Sequence, residues 1–164
     1  MKNSETKPTE KEYAKVLGDA SLTRLDLTSS SFEYIAPRSA DYTVTMSCAV
    51  EHKFVSPMLV CKANFTLTCN QTGGEEVYSA HQAKYFLVYL FEKNEEYEET
   101  ALRLFAERNS TFNAYPYFRE LVDNLSRRAP ERLDVLPLLK AENINSALNT
   151  GVTMNFQIGG SLES

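Results

Sequence analysis

The chain has 164 residues, 43% of them hydrophobic and 24% charged, with a formal net charge of -5. That is the size and composition of one globular domain with a single core. The negative balance argues against a nucleic-acid surface, which needs clustered Lys and Arg. The one basic cluster, Arg127, Arg128 and Arg132, falls at a predicted helix C-terminus, where the helix dipole favours cations.

Residues 1–18 are polar and mixed in charge and read as a disordered N-terminal arm. They lack the apolar stretch of a secretory signal, and no run downstream has the length of a membrane span. A cytoplasmic protein is expected. A first strand is predicted over Leu22–Ile35, with a possible break at Ser29-Ser30-Ser31. Tyr42–Glu51 alternates strictly: Tyr42, Val44, Met46, Cys48 and Val50 lie on one side, Thr43, Thr45, Ser47 and Glu51 on the other. Period two is the mark of a half-buried strand. Met58–Asn70 alternates again, Gln71-Thr72-Gly73-Gly74 makes a hairpin turn, and Val77–Phe91 is the fourth strand. Short connections make the last three an antiparallel meander.

Two helices are predicted next. Glu95–Arg108 opens on acidic residues, where the helix dipole favours them. Thr111–Ala129 carries Phe118, Leu121, Val122 and Leu125 on one face, with Pro116 placed in its first turn. A short helix is expected around Ala141–Leu148. Residues 150–164 read as a flexible tail, but Val152, Met154, Phe156 and Ile158 alternate, so the tail can add a strand when it has a partner.

Tyr85–Phe91 is apolar on both faces. All the long helices follow the sheet and can cover one face most easily. The other face calls for a second subunit, or for an apolar ligand or client.

Chemistry finds no foothold. His52 and His81 are the only histidines, and no Cys–His spacing fits zinc. Cys48, Cys61 and Cys69 fall inside strands and read as buried reduced thiols. Gly73-Gly74 is a turn and not a phosphate loop. Neither a catalytic group, nor a cofactor, nor a metal site is expected.

Three stretches resemble the bacterial export chaperone family SecB. They are Leu22-Thr23-Arg24-Leu25 running to Ser31-Phe32-Glu33, the meander ending in Gln82–Phe86, and Tyr115-Pro116-Tyr117-Phe118-Arg119-Glu120 with Ser126-Arg127 and a later Leu136-Pro137. The resemblance spans most of residues 21–140, within a domain taken as 19–149. It implies an α+β fold, a four-stranded antiparallel β-sheet with a long helix packed on one face and a short C-terminal helix, assembled as a dimer of dimers. It implies an ATP-independent holdase that binds unfolded polypeptide in apolar surface grooves, summing many weak contacts. In this chain the groove would draw on Tyr42, Val44 and Met46 with Ile144 and Leu148. An equal alternative is that the three strand residues are simply core.

SecB-like proteins hand clients to the motor SecA through acids on the flat sheet surface. Glu33 matches one of them, whereas Ser29 and Ser79 stand where acids are expected. Weak or absent SecA docking follows. SecB-like chaperones also guard antitoxins, a role that needs the groove and not those acids, so a specialised client such as an antitoxin is favoured. The alternatives are general export delivering preproteins to SecA, and a non-chaperone oligomeric binding module.

Overall fold

The computed structural model describes residues 8–37, 41–93, 95–133, 136–138 and 152–159, with Asp41 and 152–159 described by their backbone alone. Seven elements follow one another: α1 (Glu10–Asp19), β1 (Ala20–Tyr34), β2 (Asp41–Val55), β3 (Met58–Gln71), β4 (Val77–Phe91), α2 (Glu99–Ser126) and β5 (Val152–Gly159). The strands form one sheet in the order β1-β4-β3-β2-β5, and every pairing is antiparallel.

The α+β expectation holds, as an antiparallel sheet under a long helix. The meander β2-β3-β4 is built from the alternation read in the sequence. Thirteen inward apolar positions from Val44 to Tyr89, among them Met46, Leu59, Phe65, Leu67 and Leu87, are almost wholly buried. Gly73 takes φ +71° in the β3–β4 turn, a conformation that L side chains rarely adopt, and the Gly74 amide donates to the Gln71 carbonyl at 3.2 Å.

β1 is longer than its pairing with β4 allows in a regular ladder. The register slips once between Leu22 and Arg24 and again between Leu27 and Ser29. The extra residues are Thr23 and Thr28. Their hydroxyls donate to the Val88 and Lys84 carbonyls, each at 3.0 Å, which anchors both bulges by side chain. The second slip lies beside the serine run read as a possible break, and the strand passes through it.

Four expectations are corrected. The arm expected to be disordered over 1–18 contains helix α1. Thr9-Glu10-Lys11-Glu12 forms a capping box: the Glu12 amide donates to Thr9 Oγ1 at 3.3 Å, and the Thr9 amide to Glu12 Oε2 at 3.2 Å. The helix is held in place by burial of Val16, by Asn109 Nδ2 donating to the Tyr13 hydroxyl at 3.1 Å, and by Arg108 over the Tyr13 ring. Residues 1–7 lie outside the described residues.

The two helices expected over 95–108 and 111–129 are one helix, α2. The polar run Asn109-Ser110-Thr111 does not break it, because Thr111 Oγ1 bonds back to the Glu107 carbonyl at 2.7 Å and Ser110 lies against Cys61 and Tyr89. These small polar residues are buried on the sheet side. Pro116 therefore sits in mid-helix and not in a first turn. The carbonyl it leaves without its helical donor belongs to Phe112, and both residues are on the exposed side of the helix, where solvent is at hand. The short helix expected around Ala141–Leu148 lies outside the described residues.

The tail expected to be flexible over 150–164 includes β5, which adds to the β2 edge of the expected four-stranded sheet, as its alternation allows. The fourth correction concerns Ser79, expected among the docking positions. It is buried on the helix-covered side of the sheet, paired with the inward Cys69 and one step of the alternation from the inward His81 on the same regular ladder.

Candidate polypeptide-binding surfaces

The sheet has two unlike faces. α2 lies over β2, β3 and β4 on the inner face. Aromatic contacts lock it down: Phe65 stacks on Phe118 with centroids 4.8 Å apart, and Tyr89 meets Phe105 edge-on at 5.0 Å. After α2 the chain doubles back along it. Leu133 and Leu136 are buried, and Tyr115 Oη and Arg119 Nε donate to the Pro137 and Leu136 carbonyls.

Tyr42, Val44 and Met46, expected to line an exposed groove, are 5%, 1% and 0% exposed. As placed they are core and offer no open surface. Ile144 and Leu148 lie outside the described residues, so the structure does not bring the five together. It places something else beside the first three. β5 pairs with the outer edge of β2 in the register Tyr42↔Ile158, Val44↔Phe156, Met46↔Met154 and Cys48↔Val152.

Apolar surface remains exposed elsewhere. On β1 the inner-facing Leu22 and Leu27 are 41% and 47% exposed, beyond the reach of α2. Phe112 and Tyr117 project from α2. Sequence reasoning missed Leu22 and Leu27 as candidates. Their alternation with polar residues was visible, but how far α2 extends across the sheet was not.

The outer face carries a strip of Met58, Leu90, Val88, Val60 and Phe86, of which Met58 and Leu90 are exposed. This is the second apolar face of the fourth strand. Arg24 lies over the Phe86 ring at 5.6 Å and pairs with Asp26. Next to the strip lies a shallow depression of about 540 Å³ lined by Glu51, Lys62, Asn64, Lys84 and Phe86 among others. Glu33 is exposed on this face, paired in register with Ala80. Ser29 pairs with Lys84, so a cation stands where the acidic dock was sought.

The titratable groups of the interior are tuned by burial. Desolvation raises the Cys48 and Cys61 thiols to about 12 and about 11, the opposite of an activated nucleophile. His81 is pushed down to about 4 by the same cause. It packs against Phe32 at 4.5 Å, and neither ring nitrogen meets a hydrogen-bond partner among the described residues. Arg127 and Arg132 both hold Asp123, at 2.7 and 2.8 Å, and keep its carboxyl below the usual range. Two members of the basic cluster are thus committed to the end of α2. Among the described residues no group of His, Cys, Asp and Glu is arranged to hold a metal. None of the described helices is long and apolar enough to cross a membrane.

An antiparallel sheet with one face under a long helix defines an α+β fold, with no reactive cluster among its described residues. The particular fold is SecB-like. A solved structure, the Mycobacterium tuberculosis Rv1957 SecB-like chaperone in complex with a ChAD peptide from the Rv1956 HigA1 antitoxin, matches with a TM-score of 0.65 and 19% identity. The match covers 80% of this chain and 98% of the other. Neither a protein-family model nor a curated sequence matches.

Proposed function

We propose that the protein is an ATP-independent holdase chaperone that binds unfolded polypeptide, with a specialised client such as an antitoxin, and that it acts without catalysis in the cytoplasm. The carrying observation is the shared fold with a chaperone solved with an antitoxin peptide. Exposed apolar side chains on two elements, Leu22 and Leu27 on β1 and Phe112 and Tyr117 on α2, support it.

The proposal includes a homotetramer, a dimer of dimers. β1 is a fifteen-residue sheet edge, and such edges call for cover. Delivery to SecA is the weaker reading. Glu33 stands on the outer face without a second acid at Ser29 or Ser79, and one exposed ion pair is worth only about 0–1 kcal/mol.

The test is light scattering from a thermally aggregating protein without nucleotide. Suppression at near-stoichiometric ratios of the chain supports the reading, and unchanged aggregation opposes it.

A further inference from the structure

We propose that the outer edge of β2 is a strand-addition site for an extended client segment with apolar residues at every second position, and that residues 152–159 are its resident competitor. The inference rests on the chaperone reading and specifies its site.

Three observations carry it. β5 is joined to the sheet through β2 alone, along Asp41–Cys48. Its sequence, Val152-Thr153-Met154-Asn155-Phe156-Gln157-Ile158-Gly159, alternates apolar and polar residues, and each apolar residue is the register partner of a buried inward residue of β2. The pairing thus selects for a pattern and a direction, antiparallel to β2. Finally, β2 runs on to Val55, seven residues past the end of β5, so that part of the edge has no strand partner among the described residues.

The chemistry of recognition follows. Main-chain hydrogen bonds supply affinity with little regard to sequence, and the alternation supplies selectivity. A segment already added to this edge shows that the edge accepts an eight-residue strand of this pattern. The same edge then suits any unfolded chain with a similar stretch. Because the resident strand is tethered, its effective concentration is in the millimolar range, so a single short client segment competes poorly. A client that engages Leu22, Leu27 or Phe112 as well can displace it.

The probe is a fluorescent peptide of residues 152–159, added in trans to the full-length chain. Met154→Asp together with Phe156→Asp should release the resident strand and raise peptide affinity by about tenfold or more, as expected when the competent fraction rises from a tenth or less toward one. The same changes at Thr153 and Asn155, which alternate with the apolar positions, should do so less. A peptide N-methylated at alternate residues should not bind the released chain. The converse variant, Ser47→Cys with Thr153→Cys, joins register partners and should lose peptide binding when oxidised and regain it on reduction. Circular dichroism confirms that each variant is folded.

Equal peptide affinity in the released and wild-type chains, or undiminished binding of the N-methylated peptide, would overturn the strand-addition site. If the oxidised chain loses the peptide yet suppresses aggregation fully, the edge binds strands but is not the client site, and the proposal fails while the chaperone reading stands. If the released chain binds the peptide and no form suppresses aggregation, the chaperone reading fails while the strand site survives.

Discussion

His81 illustrates how one buried side chain links burial to pH. It sits on β4 against Phe32, 1% exposed, with its pKa pushed down to about 4 by desolvation. In the unfolded chain it titrates near its ordinary 6.5. Between those values the unfolded state binds a proton that the folded state refuses. Stability is therefore complete above pH 6.5 and falls as the pH drops toward 4, by at most on the order of 3 kcal/mol. Urea midpoints measured from pH 7.5 to 4.5 should show this loss, and His81→Met should flatten that part of the profile. An unchanged slope in the variant would assign the loss to other groups. The thiols make a parallel case. With Cys48, Cys61 and Cys69 all buried, a thiol reagent at pH 8 should label the native chain only at the rate of unfolding, and all of them at once in denaturant.

At the scale of elements, α1 was legible and was overlooked. Its T-x-x-E box is a sequence-level helix start, but the short polar stretch lacked a wide apolar face because Val16 alone is fully buried among its hydrophobic residues. Its C-terminus is tied down by Asp19, whose carboxylate accepts from the Lys93 amide at 3.2 Å and from the Tyr97 hydroxyl. Asp19→Ala leaves both donors without that acceptor and should cost about 1–3 kcal/mol, read as a lower denaturation midpoint. The strands of the meander were legible to within a few residues because one buried face enforces period two. The continuity of α2 was not, since Ser110 and Thr111 look like a break until the helix's own carbonyls and the sheet beneath them are in place. The position of Ser79 was legible in its parity with the inward His81, Ala83 and Tyr85 on β4; the resemblance, and not that alternation, set it among the docking positions. Ser79→Glu should accordingly destabilise the fold by several kcal/mol through burial of an unpaired carboxylate, whereas Ser29→Asp, exposed beside Lys84, should be tolerated. Matched thermal melts of the two variants decide this, and equal tolerance would mean that Ser79 faces solvent.

For the whole molecule, the sheet's bare features set the expectation of assembly. β1 is an edge, the strip Met58–Leu90–Val88–Phe86 faces away from α2, and Leu22 and Leu27 stay exposed inside. Light scattering on a sizing column should give about four chain masses at micromolar concentration, and a monomer would contradict the proposed tetramer. The candidate client surface was half legible. The row Tyr42, Val44, Met46 was visible as an apolar face, but sequence alone could not tell core from groove, and the partner that closes its edge lies more than a hundred residues downstream. Holding of unfolded polypeptide is the central claim. It is tested most directly by titrating the full-length chain into a fluorescent, permanently unfolded polypeptide without nucleotide. The account predicts saturable binding that survives high salt, since the contacts are apolar and main-chain, and that is reduced when the Ser47→Cys/Thr153→Cys chain is oxidised. A folded chain that shows no saturable binding at tens of micromolar, where summed apolar contacts should already hold a client, would contradict it.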